Sequence, residues 1–280
     1  MLSQDVAGAP VNGVEGTGAK PYNLVSVRGL RKVYNTRSGE KIEAIREISM
    51  EVKEGEFVSL VGPSGAGKTT LLNILLGLLP YTSGEVRYKG ELLRGPRRDV
   101  GIVFQEPVLF PWRTVLENVL LPAEVIGIEK KVALERAKSL LEMVGLKDFL
   151  NKYPAEMSGG MQQRAAIARA LVHDPTLLLM DEPFGALDAL TRETMNLELL
   201  RIWKQTGKTI MLVTHSIPES IFLADRVIVL GVRPSRIAAD VEIDLPRPRS
   251  LDMISTDRFG ELNKTVRKSL EVSLPAGEEH

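Results

Sequence analysis

Short apolar runs recur along the chain at intervals too wide for one helix and too regular for a linker. Phe57 to Val61, Val100 to Gln105, Thr176 to Met180, Thr209 to Thr214 and Arg226 to Leu230 are each a few residues long and bounded by turn-forming or polar positions. Runs of this kind read as buried strands. Stretches of helical character lie between them: Leu71 to Leu76, Lys130 to Met143, Gln162 to Leu171, Leu190 to Gln205 and Pro218 to Ala224. In the second, Val132, Leu134, Ala137, Leu140, Leu141 and Val144 fall at helical spacing and Gly145 supplies a stop. Strands alternating with helices predict an α/β fold with a mostly parallel sheet covered by helices.

The flanks have another character. Leu24 to Val27 and Lys32 to Tyr34, then Ile42 to Val52, predict antiparallel strands joined by a turn over Asn35 to Lys41 around Ser38-Gly39. In the later strand Ile42, Ala44, Ile48, Met50 and Val52 share a parity. Gly84 to Tyr88 is a further short strand. This N-terminal portion is expected to lie against the strand at 57–61. Residues 107–122 read as irregular, with Pro111-Trp112 at their centre, and residues 106–157 read as a helical insertion between two pieces of the sheet. Residues 1–21 show no periodicity and read as a disordered tail. The expected folded domain is 22–240. Residues 241–280 follow as a charged tail with one short helix at Arg258 to Leu270.

Composition changes the picture in three ways. With 44% hydrophobic residues among 280, the chain can bury a large core. Lys+Arg and Asp+Glu both number 36, so there is no net basic footprint for nucleic acid. Cysteine is absent, which removes disulfides and thiolate metal sites. Residues 1–20 lack a basic start followed by an apolar run, and no stretch approaches the roughly 20 apolar residues of a membrane span. The chain is expected to be soluble by itself.

The chemistry begins after the strand at 57–61. Gly62, Pro63, Ser64, Gly65, Ala66, Gly67, Lys68, Thr69 and Thr70 form a glycine-rich loop that opens a helix. Loop glycines let backbone N–H groups turn inward around an anion, and the helix N-terminus adds its positive dipole end. This is the G-x-x-x-x-G-K-[ST] phosphate loop: the Lys68 ammonium suits β- and γ-phosphates and the Thr69 hydroxyl suits Mg²⁺. The apolar strand ending in Asp181-Glu182 brings two carboxylates to the carboxyl edge of the sheet, where ligands bind in such folds. Asp181 fits a Mg²⁺-organising acid and Glu182 a general base for water. In isolation the same pair could simply cap the next element. Ser158 is a good N-cap, and Gly159 and Gly160 permit close approach to an anion.

The order of these pieces resembles the ATP-binding cassette family, the nucleotide-binding subunits of ABC transporters, over residues 24 to about 240. Residues 62–69 match its Walker A motif, Leu177 to Asp181 its Walker B motif, and Met157-Ser-Gly-Gly-Met161 its signature. Gly185-Ala-Leu-Asp188 matches its D-loop. The signature keeps the Ser-Gly-Gly core but carries Met157 and Met161 where the family usually has Leu and Gln. The resemblance implies a P-loop NTPase core with an N-terminal antiparallel β subdomain and an inserted α-helical subdomain. It implies that ATP is bound with Mg²⁺ between two head-to-tail cassettes. Tyr34 would stack on adenine, Gln105 would bind Mg²⁺ and the attacking water, and His215 would contact the γ-phosphate. Ser158, Gly159, Gly160 and Asp188 would act across the dimer interface.

The stretch Leu109 to Asn118, the run Phe222 to Val227, Arg-Pro-Ser-Arg-Ile at 233–237 and Leu245-Pro-Arg-Pro-Arg249 are similar to cassettes of the nitrate, sulfonate, taurine and bicarbonate import group. That likeness implies an importer on the cytoplasmic side of the inner membrane, with membrane permease subunits docking near the helical insertion and a solute-binding protein as indirect partner. A cassette of a lipid, lipoprotein-release or cell-division complex stays open as the alternative.

Overall fold

The computed structural model describes residues 23–36 and 39–272. The expected tail at 1–21 and the turn residue Ser38 lie outside them. Strands β1 (Asn23–Asn35) and β2 (Lys41–Lys53) form a long antiparallel hairpin. Between the pairs Leu30↔Ile48 and Lys32↔Ile45, β2 carries one residue more than β1, a β-bulge. The bulge flips the parity of β2, so Ile45 is fully buried although it stands outside the alternation read from the sequence. Strands β3 (Phe57–Val61), β4 (Ser83–Tyr88) and β5 (Glu91–Leu92) follow. β4 and β5 extend the hairpin into a four-stranded antiparallel sheet of order β2-β1-β4-β5.

A six-stranded sheet forms the centre. It joins β3 with β6 (Val100–Val103), β7 (Leu177–Asp181), β8 (Thr209–Thr214), β9 (Arg226–Leu230) and β10 (Ile237–Glu242) in the order β10-β9-β3-β8-β7-β6. All neighbours are parallel except β10, which pairs antiparallel with β9. The largely apolar runs of the parallel strands follow from burial on both faces, whereas β10 at the edge alternates between half-buried and exposed positions. In β3, Val58 and Leu60 pack with Leu24, Ile48 and helix α1 (Lys68–Leu75), while Phe57 and Val61 belong to the opposite core. The N-terminal sheet therefore lies over one face of the central sheet and the remaining helices over the other.

Between β6 and helix α4 (Gly159–Leu171) stand α2 (Val115–Ile126), α3 (Lys130–Met143) and two short 3-10 turns. The irregular reading of 107–122 fails from Val115 onward. Pro122 lies about two turns into α2 and is tolerated there. The helix is nucleated by a reciprocal cap: the Glu117 N–H donates to the Thr114 hydroxyl, and the Thr114 N–H donates to the Glu117 carboxylate at 2.8 Å. The buried Asn118 amide ties the preceding loop down, donating to the carbonyls of Phe110, Arg113 and Thr114.

Helices α5 (Ala189–Thr206) and α6 (Ile217–Leu223) complete the layer. Of the residues expected as a charged C-terminal tail, 241–272 are described, and they are folded onto it. β10 crosses the expected boundary at 240, and α7 (Asp257–Val272) buries Phe259, Leu262 and Val266 against α6, β9 and β10.

Candidate active site

The glycine-rich loop runs from the end of β3 into α1, so the local order is strand, loop, helix. Gly62 must lack a side chain, because a Cβ there would stand 2.8 Å from the Leu230 carbonyl oxygen. Gly67 takes φ 77°, a left-handed conformation that turns the chain into the helix. Lys68 is folded back into the loop and is only 5% exposed. Its Nζ donates to the carbonyls of Gly62 at 2.8 Å and Pro63 at 3.0 Å. Burial lowers its pKa, while the carboxylates of Glu182 and Asp181 act the other way. The cavity at the loop is about 220 Å³ and is lined by Ser64 to Thr70 together with Glu182, His215 and Arg233.

The ends of β7 and β8 bring the remaining groups to this edge. Asp181 is the last residue of β7, and its carboxylate is hydrogen-bonded by the Thr69 side chain. Burial raises its pKa against that bond and against the charges of Lys68 and His215. Glu182 leaves the strand with φ 49°, a conformation rare outside glycine and held here by its N–H bonding the Val213 carbonyl. Its Oε1 lies 2.6 Å from Nε2 of His215, the residue that follows β8. The other ring nitrogen of His215 lies 3.4 Å from Nζ of Lys68. Gln105 stands two residues beyond the end of β6, not on the strand, and lines an adjoining cavity of about 320 Å³ with Glu182, His215, Thr214 and Ser216.

Lys68, Thr69, Asp181, Glu182, His215 and Gln105 are thus gathered at one edge. Tyr34 stands beside them without lining either cavity: its hydroxyl is 3.3 Å from that of Thr70, and its ring carries the Lys32 ammonium 4.8 Å from the centroid. Ser158, Gly159, Gly160 and Asp188 are elsewhere. Ser158 caps α4, accepting from the Met161 N–H at 3.4 Å. Asp188 caps α5, accepting from the Thr191 N–H at 3.0 Å. A Cβ on Gly160 would come within 3.1 Å of Thr191, so the two helix starts are neighbours. They form a second cluster, separate from the loop in this one chain.

Two residues at the site were not singled out from the sequence. Arg233 adds a second cation to the loop cavity. Its signal was its place just beyond β9, at the edge where ligands gather. Glu219 is 6% exposed and lines the cavity of Gln105, Glu182 and His215. It accepts a hydrogen bond from the Thr214 hydroxyl, which itself accepts from the Ser216 N–H at 3.0 Å. The Ser216 hydroxyl in turn accepts from the Glu219 N–H at 3.3 Å. The signal was a Ser-x-x-Glu spacing at a helix start.

Comparison with known proteins places this geometry. The model of the ABC transporter family matches residues 45–185. An ABC transporter ATP-binding protein of Methanocaldococcus jannaschii is 50% identical over 88% of this chain and 91% of its own length. The taurine import ATP-binding protein TauB of Roseobacter denitrificans is 47% identical over 76% of this chain and 80% of its own. Among solved structures, a dimeric ATP-binding cassette in a post-hydrolysis state bound to ADP and Pi superposes with a TM-score of 0.69 at 35% identity. That match covers 79% of this chain and 100% of the cassette.

Proposed function

The chain belongs to the ABC transporter family as an ATP-binding subunit, and on that premise we propose that it is the ATPase of an importer that carries a small sulfonate, such as taurine, through separate membrane subunits. The observation that carries the ATPase reading is the junction of Lys68, His215 and Glu182 at the mouth of the phosphate loop. The import reading rests on the similarity to TauB.

Each residue has a physical part. The loop N–H groups and Lys68 hold the β- and γ-phosphates, and Arg233 adds positive charge at the same cavity. Tyr34 offers its ring to adenine beside Thr70. Glu182 polarises the attacking water, and His215 holds Glu182 in place while reaching toward the γ-phosphate. The donor set suits Mg²⁺. Thr69 and Asp181 already share a hydrogen bond, and among the described residues no cluster of three or more His, Cys, Asp or Glu offers a complete protein cage. Mg²⁺ characteristically keeps waters and phosphate oxygens and takes few protein ligands. Thr69, Asp181 and Gln105 would hold it, and it would neutralise charge developing on the phosphates.

The cluster of Ser158, Gly159, Gly160 and Asp188 belongs to the partner site. Standing apart from the loop within one chain, it supports a pair of cassettes in which each α4 start faces the other's ATP. ATP then holds the pair closed and hydrolysis releases it, a population shift driven by contacts that only the closed state makes.

The membrane subunits dock at the loop before α2. Trp112 is 71% exposed and stacks on Phe110 with ring centroids 5.0 Å apart, and Phe104 and Val108 are also exposed. No helix among the described residues is long and apolar enough to cross a membrane, which fits a peripheral subunit on the cytoplasmic face. The test is reconstitution. The chain, its genetically neighbouring permease and solute-binding protein are placed in vesicles with internal Mg-ATP, and uptake of labelled taurine is followed. Uptake that needs all three components and stops with Glu182→Gln is expected. ATP hydrolysis with no uptake of any sulfonate would defeat the import assignment and leave the ATPase standing.

A further inference from the structure

A cavity of about 510 Å³ lies between α5 and the segment 247–249 and is not used by the ATP site. It shares no lining residue with the two cavities of the ATP site. Its volume is in the range of sites for small organic ligands, about 300–1,000 Å³. The apolar lining comes from α5: Leu197 is exposed, Leu200 lies deeper, and Trp203 is half-buried beside them.

The charged lining residues are Arg201, Lys204, Arg247 and Arg249 with one carboxylate, Asp225; Arg201 is paired with Glu198 outside the cavity. Arg247 stacks on Trp203, 4.2 Å from the ring centroid, and pairs with Asp225 at 2.7 Å. Lys204 on the rim has no ion pair among the described residues. Arg249 is the unusual member. It is 6% exposed, and its Nη1 donates to the carbonyls of Ile221, Phe222 and Ala224 at 2.7–2.9 Å. Its Nε has no acceptor, and no carboxylate among the described residues pairs with it. Burial and the charge of Arg247 bring its pKa down to about 10, so it remains charged at neutral pH. Its hydrogen bonds all go to neutral carbonyls, and the one nearby carboxylate, Asp225, is paired with Arg247; a buried charge so placed is costly, and an anion brought to it relieves that cost.

We infer that this cavity binds a small amphipathic anion, a carboxylate or sulfonate on an apolar body, with Lys204 and Arg249 as its counter-charges and Leu197, Leu200 and Trp203 as its apolar wall. An apolar body alone would leave both cations unanswered. An anion without one would leave the leucines and the indole in water. Arg249 ties this wall to the C-terminal end of α6, and the other end of α6 begins just after His215.

The full-length protein is titrated calorimetrically with naphthalene-2-sulfonate, with 2-naphthol as the uncharged control. The indole N–H resonance of Trp203 is followed in parallel, identified by its survival in Trp112→Phe. The sulfonate should bind at a single site and move the Trp203 resonance, with 2-naphthol weaker by about tenfold or more. Lys204→Glu, at an exposed position, should weaken the sulfonate by about tenfold while leaving 2-naphthol unchanged. Leu197→Trp, which fills the bowl, should weaken both. Equal binding of sulfonate and alcohol, a shift confined to Trp112, no binding at about 1 mM, or full affinity in both variants would each overturn the site.

Discussion

The Nε2 atom of His215 lies 2.6 Å from Oε1 of Glu182. The partner at the opposite ring nitrogen settles which way this bond runs. Lys68 has only protons to give, so Nδ1 must accept and Nε2–H must donate to Glu182. The imidazole thus orients the carboxylate. Glu182→Gln should keep ATP affinity and lose turnover by ~10²–10⁴-fold, the usual worth of a general base. Phosphate release measured beside nucleotide binding checks this, and near-normal turnover would remove Glu182 from that role.

Two carbonyls of the loop, those of Gly62 and Pro63, hold the Lys68 ammonium within it. Lys68→Ala should weaken ATP binding rather than only slow hydrolysis. A fluorescent ATP analogue, titrated into wild type and variant, reads the difference. Equal affinities would count against the assignment.

The loop, the two carboxylates and the five parallel strands were legible because each rests on local sequence. β7 is apolar from Leu177 to Met180, and β3 is apolar at every position but Ser59, as a doubly covered strand requires. Long-range choices were not legible. The bulge that buries Ile45 depends on how β2 pairs with β1. The start of α2 was hidden in the proline-containing stretch 107–122, although Thr114 and Glu117 cap it reciprocally. β10 is an edge strand with alternating half-buried and exposed positions, hidden in a charged stretch. Arg233 and Glu219 reach the site only because separate strands end at the same edge.

The separation of Ser158 to Gly160 from the loop gives a test of the paired state. Gly159 is exposed at the first turn of α4, and the nearest atom to a Cβ there is Leu187 Cδ2 at 3.8 Å. Gly159→Arg should therefore fold normally. Placed in the Glu182→Gln background, it should abolish the ATP-dependent dimer, because an arginine side chain would occupy the surface offered to the partner's nucleotide. Sedimentation with and without ATP distinguishes the outcomes, and a persisting dimer would place the interface elsewhere.

Thr114 tests the cap that the sequence reading missed. Thr114→Ala removes the acceptor for the Glu117 N–H and should cost about 1 kcal/mol. For a domain of this size that is roughly 2–4 °C in Tm. Scanning calorimetry reads it. An unchanged Tm would mean that Asn118, which donates to Phe110, Arg113 and Thr114, holds the start of α2 without the cap.

Glu219 carries a pH signature. Burial raises its pKa above the ordinary 4.5, against the Thr214 hydrogen bond and the charge of Arg192, and Glu182 pushes the same way as burial. The folded state therefore binds this proton more tightly than the unfolded chain does. The resulting stability is fully present below the unfolded pKa and is lost as pH rises through the folded value. Glu219→Gln keeps an oxygen for the Thr214 hydroxyl and removes the titration. Relative to wild type, the variant should gain stability as pH rises above the ordinary carboxyl value of 4.5 and should hold that gain once the folded-state carboxyl has ionised. Urea midpoints taken across that range measure the gain. A difference that does not change with pH would show that Glu219 is no more protonated in the folded protein than in the unfolded chain, and that its part at the site is confined to the hydrogen bond with Thr214.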